Sequence, residues 1–266
     1  MASLGSLTET RHELAVSRYF HDYVDRGKPG LVYVVRHPGK TLGALIALRR
    51  LSCLRVTPSL VSADGIAIRA GLSSRPALAR IAGFATAVLR LPDEPGQYSL
   101  GASKQTLRRK ARIARRLGVH WAEVNDPQDR QDILKLAEEY EQAHPDVTYR
   151  NQNPDNSDIL GSGLWLAAYS AEGHPLLLSV TPVDGEFSFL HYFRTIGFGE
   201  EQSNARYLMT EVLVEHLVSR GVRYLIDGAF TPLLPPGIRH FQRMLGFRIV
   251  RIRIGRPGRS RDHEGF

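Results

Sequence analysis

The chain has one cysteine, Cys53, in 266 residues. A single thiol excludes an intramolecular disulfide and a zinc site built on several thiolates. Long apolar runs are also missing: stretches such as Leu42 to Leu48 and Leu164 to Tyr169 fall far short of a bilayer span. The first residues, Met-Ala-Ser-Leu-Gly, followed by Glu9, Arg11, His12 and Glu13, show no basic flank and no apolar core of a signal peptide. A cytoplasmic location is the expectation. Lysine is scarce, 5 against 30 arginines. The ten histidines show no His-x-x-x-His pair or other metal spacing, so no metal is expected.

What is present is a positive surplus, +8 at pH 7. It points to partners that carry phosphate or carboxylate. Arginine forks suit phosphate, although a GC-rich genome produces the same bias. Hydrophobic content of 42% and charged content of 23% are those of a globular chain.

Residues 12–26 have helical periodicity. The stretch 31–48 predicts two strands, 31–36 and 42–48, around a His-Pro-Gly-Lys turn, with 53–57 and 65–69 as shorter strands. Residues 75–90 predict a helix, and the Pro/Gly-rich 91–101 is the expected domain boundary. Beyond it come a helix from Ser103, as cap, to Gly118, a strand at 119–124 and a helix at 126–144. A polar loop over 146–162 leads into a meander of 164–170, 175–183 and 186–195. Then follow a helix from Ser203 to Gly221, a buried strand 222–228, a short helix and a final strand 247–254. Residues 256–266 read as a disordered basic tail. The wording around Gly30–Leu45 echoes that around Gly163–Leu178, which suggests two lobes, 1–100 and 101–255.

Three segments carry a family likeness: Leu107 to Gly118, Ser203-Asn-Ala-Arg-Tyr-Leu-Met209, and Tyr224 to Gly228 with Gly237 to Phe247. In order and spacing they resemble the GNAT (Gcn5-related N-acyltransferase) superfamily, and in wording its Fem-type, tandem-lobed branch. The resemblance implies an α/β (α+β) fold with a mixed sheet flanked by helices and a degenerate first lobe. It implies an acyltransferase that moves an acyl group from acyl-CoA to an amine on a small molecule, peptide or cell-wall precursor. Aminoacyl-tRNA is the alternative donor. A GNAT-shaped protein without catalysis, binding RNA or a partner, is the alternative of another class. Where such enzymes often carry a tyrosine acid before the closing Gly-Phe, this chain has Gln242, and the Fem-type lysine is absent there too.

A GNAT site holds the donor's pyrophosphate on free amides where the central helix starts. Arg194-Thr-Ile-Gly197-Phe-Gly199 matches the usual wording. The family distance counted back from Gly221 falls instead on Asn204 to Arg206, and the spacing is given more weight. The donor-binding residues expected are Ser203, Asn204, Ala205, Arg206 and Tyr207, with Arg194 in reserve. For the acceptor, His191 titrates near neutrality and Asp227 ends a buried strand where ligands gather. Both also read as structural residues, His191 because it shares its face with Phe187, Phe189 and Phe193. Tyr192, on the other face, is a third catalytic candidate.

The helix after the boundary carries Lys104, Arg108, Arg109, Lys110, Arg112, Arg115 and Arg116 outside an apolar stripe of Leu107, Ala111, Ala114 and Leu117. Such a face contacts tRNA or a CoA phosphate, or is simply solvated. Gly39-Lys40-Thr41 is no P-loop, because Val34 stands where the motif needs glycine.

Overall fold

A computed structural model describes residues 11–24, 30–73, 84–147, 149–228, 234 and 236–255. Its elements are α1 (Arg11–Val24), α2 (Gly30–Arg36), α3 (Pro38–Arg50), β1 (Cys53–Val56), α4 (Ala63–Ser73), β2 (Phe84–Arg90), α5 (Gln105–Arg116), β3 (His120–Glu123), α6 (Pro127–Gln142), β4 (Leu164–Tyr169), β5 (Pro175–Thr181), β6 (Val183–Asp184), β7 (Phe187–Leu190), β8 (Tyr192–Thr195), α7 (Glu200–Ser219), β9 (Tyr224–Asp227), α8 (Pro236–Leu245) and β10 (Arg248–Ile254). The fold is mixed α/β with two sheets, ordered β1-β10-β2-β9-β7-β6 and β3-β4-β5-β8.

Alternation along the strands explains the layers. Ala87 and Leu89 of β2, and Leu166 and Ala168 of β4, face a core that α5 and α7 cover across both sheets. Val88, Phe187, Phe189 and Ile226 turn the other way, toward Ile68 and Leu72 of α4. Trp165, Ala167, Leu178 and Val180 turn toward Ile133, Leu134 and Ala137 of α6. Asp126 starts α6 by accepting from the amides of Gln128 and Asp129, as an N-cap should.

Several expectations need correction. Residues 31–36 and 42–48 are not strands but lie in α2 and α3, so the echo between the two halves is one of letters. Pro38 sits at the first helical positions of α3, where its fixed φ and missing N–H are harmless, instead of in a hairpin turn. Residues 65–69 belong to α4. Of the helix expected at 75–90, residues 84–90 form β2. Ala85, Ala87, Val88 and Leu89 are all buried there, and a strand covered on both faces shows no clean alternation. β2 runs antiparallel between β10 and β9, so residues before the 91–101 connector share a sheet with the end of the chain. Ser103 caps nothing: it lies in a 3-10 turn, and Lys104 precedes α5. The tail 256–266 lies outside the described residues.

Lys104 is not a surface charge either. Its ammonium is buried against the face of Tyr98, 4.0 Å from the ring centre, and donates to the carbonyl of Leu245. Tyr98 donates to the same oxygen at 2.8 Å, so the two side chains close the C-terminus of α8. Burial lowers the Lys104 pKa to about 8.

Candidate functional site

The third strand of the meander changes sheets partway along. Phe187 to Leu190 pair in parallel with Tyr224 to Asp227 of β9. After a break at His191, Tyr192 to Thr195 pair antiparallel with β5. Strands β8 and β9 therefore diverge beyond Leu190 and Asp227. The vertex of this fork is fastened by Gly228, whose N–H donates to the Leu190 carbonyl at 3.1 Å. A Cβ at Gly228 would stand 2.8 Å from that oxygen, so no other residue fits without moving the strands.

A cavity of ≈ 510 Å3 opens in the fork. Leu190, His191, Leu225 and Asp227 form its base, α8 supplies Phe241 and Gln242, α7 supplies Arg206 and Thr210, and Glu141, His144 and Tyr149 close the side of α6. At the base, Gln242 donates from Nε2 to Asp227 Oδ2 at 2.6 Å. Gln242 is buried, and the backbone carbonyl of Asp227 accepts from Thr86 at 2.9 Å, so the acid is held from two sides. The residue that stands where a general acid was expected thus orients a carboxylate instead.

His191 also lines the cavity. Its Nε2 lies 3.3 Å from Asp158, and its Nδ1 is buried with no hydrogen-bond partner among the described residues. Burial lowers its pKa, against the opposing pull of Asp158, which favours the neutral ring at pH 7. The tautomer that donates from Nε2 to Asp158 leaves its lone pair on the shielded Nδ1. Asp227 is therefore the better placed acceptor of a proton from a ligand in the cavity.

Tyr192 is turned away. Its hydroxyl donates to Glu141 at 2.5 Å in the core under α6. Burial and that contact raise its pKa. Arg194 reaches the cavity rim, with Nε 3.9 Å from Glu141.

The start of the central helix differs from the expectation at Ser203. Helix α7 begins at Glu200, and the Ser203 amide is already bonded to the Gly199 carbonyl at 3.1 Å. The turn ahead of it is Gly197 and Gly199, with φ of 92° and 151°, values that favour glycine. By helix geometry the amides without intrahelical partners are those of the first turn, Glu200 to Gln202. The helix therefore starts one turn ahead of Ser203, directly after the motif letters at 194–199. Of the residues then expected, Ser203 is exposed, Ala205 is buried in the core, and Asn204 is fully buried with both side-chain polar atoms unpartnered among the described residues. Arg206 lines the cavity with its guanidinium 5.4 Å from the Phe241 ring centre, and burial lowers its pKa. Tyr207 meets Phe241 edge-on at 5.2 Å, with Arg109 of α5 among the charges acting on it.

The cations of α5 divide. Arg108 donates to the carbonyls of Ser99 and Gly101, and Arg115 pairs with Glu211 at 2.8 Å. Lys110 stands 3.9 Å from Glu200 at the start of α7. Arg109, Arg112 and Arg116 are exposed, and the spacing i, i+3, i+7 puts them on one stripe. Among the described residues none of the three has a hydrogen bond or ion pair.

The class defined by these features is a mixed α/β fold with a GNAT-like order of elements: strand, helix, a meander whose last strand forks, central helix, strand, helix, strand. No family model and no curated protein matches the chain. Among solved structures it is similar to the C-terminal domain (DUF2156) of an Agrobacterium fabrum protein described as a lysylphosphatidylglycerol synthetase, at 14% identity and TM-score 0.46 over 63% of this chain and 58% of that one. It is similar to L-PGS from Bacillus licheniformis at 14% identity and TM-score 0.48, covering 71% and 67%. FemX gives 10% identity and TM-score 0.48, covering 63% and 59%. The chain thus spans less than two thirds of the Agrobacterium and FemX structures.

Proposed function

We propose that the chain is an N-acyltransferase in which an amine bound at Asp227 attacks a carbonyl brought in along the start of α7. The observation that carries this reading is the fork: two strands part over a cavity whose base holds a half-buried, Gln242-oriented carboxylate. Asp227 would hold the acceptor's nitrogen by charge and accept its proton as the new N–C bond forms, while the donor's ester C–O or thioester C–S bond breaks and the tRNA hydroxyl or CoA thiol leaves, protonated. Backbone amides would polarise the carbonyl oxygen. The acceptor would be an amine on a small molecule, a peptide or a cell-wall precursor.

Two donors fit the reaction. Acyl-CoA would place its pyrophosphate on the Gly197–Gln202 turn, but Glu200 and Glu201 add two carboxylates at that spot. An aminoacyl-tRNA would lay phosphates along Arg109, Arg112 and Arg116, the first of which acts on Tyr207, the neighbour of Phe241 in the cavity lining. We therefore put charged tRNA first and acyl-CoA second. RNA binding without transfer is the reading left if catalysis fails.

Transfer is tested by mass spectrometry of amine acceptors incubated with charged tRNA or with acetyl-CoA. Product from charged tRNA, with tRNA affinity falling steeply on R109E/R112E/R116E, supports the first donor. The triple reversal removes about three phosphate contacts, so the slope of log affinity against log salt should fall by roughly 2–3. Product from acetyl-CoA with unchanged rates in that variant supports the second. No product with either donor, with tRNA binding intact, rejects the enzyme.

A further inference from the structure

Helix α3 is apolar nearly all the way round. Ala44 and Ala47 are buried, with Leu48 packed beside Val16, Leu51, Ala85 and Ile249 over β2 and β10. On the opposite side Leu42, Leu45 and Ile46 are 60%, 47% and 45% exposed. Residues 42, 45, 46 and 49 follow the i, i+3, i+4, i+7 rule, so these three and Arg49 form one outward stripe. Helix α2 extends it with Val32 and Val35, the latter 71% exposed. A helix with apolar residues on every side is ordinarily covered on every side, and here the described residues cover only one.

Charge narrows what covers the other. Gly30 to Arg50 contains Arg36, Lys40, Arg49 and Arg50 and no Asp or Glu. Lys40 is engaged by Asp22 at 3.2 Å. Arg36, Arg49 and Arg50 are exposed and have no ion pair among the described residues. We propose that this face docks on an anionic lipid bilayer, with Val35, Leu42, Leu45 and Ile46 in the headgroup boundary and the three arginines on lipid phosphates. An apolar face flanked by cations and free of carboxylates is the composition that binds such a surface by area and charge together. The helix lies in the plane: its 13 residues reach only about 20 Å, against a core of about 30 Å. No described helix is long and apolar enough to cross a membrane. A second copy of the chain is a poorer occupant. A two-fold contact through this face would bring together six arginines that have no ion pair among the described residues, and Asp22 is already engaged by Lys40. The inference is independent of the proposed transfer reaction.

Flotation of the full chain with vesicles tests it, using phosphatidylcholine alone and with about one third phosphatidylglycerol, at about 0.05 and 0.5 M salt. The expected result is co-flotation with the anionic vesicles only, weakened by salt. L42Q/I46Q and R49E/R50E should each lower the bound fraction by about tenfold or more, while R109E/R116E leaves it unchanged. These positions are exposed, so circular dichroism melts should match the parent. Should one variant misfold, the other still decides. Absence of binding, equal binding by both variants, or loss in R109E/R116E instead would overturn the proposal. So would light scattering that finds a dimer abolished by L42Q/I46Q, which would assign the face to self-association.

Discussion

The base of the cavity and the start of α7 are built differently. At the base the carboxylate and its strand are anchored: Asp227 by Gln242 at 2.6 Å, its carbonyl by Thr86, and the fork itself by Gly228. At the start of α7 Asn204 is buried with both ends unpartnered among the described residues, while Glu200 and Glu201 put negative charge on the positive end of the helix. Acidic residues there stabilise the free helix and would compete with an anionic ligand. The acceptor side of the proposed site is complete in the free protein, whereas the donor side spends its helix dipole on its own carboxylates.

The strongest way to break this contrast is to remove the base. D227A should lower kcat/KM for transfer by about 10²-fold or more, in the range of a positioned acid–base group. Q242L, which keeps the size of the side chain but not its donor, should cost about tenfold, mostly in kcat, with Q242H or Q242N recovering part. If D227A retains parental activity, the fork is not the reacting centre.

His191 sharpens the contrast next. Its proton-accepting nitrogen is shielded, so H191Q should cost less than about tenfold in kcat/KM. Its pKa is lowered by folding, so the protonated ring is disfavoured in the folded state. That contribution to stability is full above the ordinary value of 6.5 and is lost as pH falls through the lowered folded value. Thermal melts of the parent should therefore drop on the acid side more steeply than those of H191Q.

How much of this was legible depends on how far each pattern is unambiguous. Helix α5 could be read because its apolar residues fall on one stripe: Leu107, Ala111 and Ala114 are buried, while Leu117, the last of the stripe, is exposed. Helix α3 could not, because Leu42 to Leu48 is a short apolar run that fits either period, and Pro38-Gly39 imitates a hairpin turn. Strand β2 was hidden because it is covered on both faces by sequence-distant partners. In the site, Asp227 was visible as the polar end of a buried strand. Its partner Gln242 was noticed only for the acid it is not, since a hydrogen bond across 15 residues has no signature in spacing.

A smaller effect is expected at the first turn of α7. Neutralising it with E200Q/E201Q should raise the affinity of an anionic donor several-fold, since each charge near a helix terminus is worth about 0.3–1 kcal/mol. Calorimetric titration with acetyl-CoA and with tRNA measures it. A gain for CoA without one for tRNA would reverse the order of donors proposed above.

The least conspicuous test concerns Asn204. A fully buried amide without partners costs folding free energy, about 1–3 kcal/mol in the general case, so a side chain of similar volume that asks for no hydrogen bonds should be tolerated there. N204L is expected to keep or raise the stability by up to about 1 kcal/mol in urea melts, against the usual loss on changing a core residue. A loss of more than about 2 kcal/mol would mean that the amide is satisfied in solution. The start of α7 would then be as finished as the base of the fork, and the asymmetry between the two halves of the site would disappear.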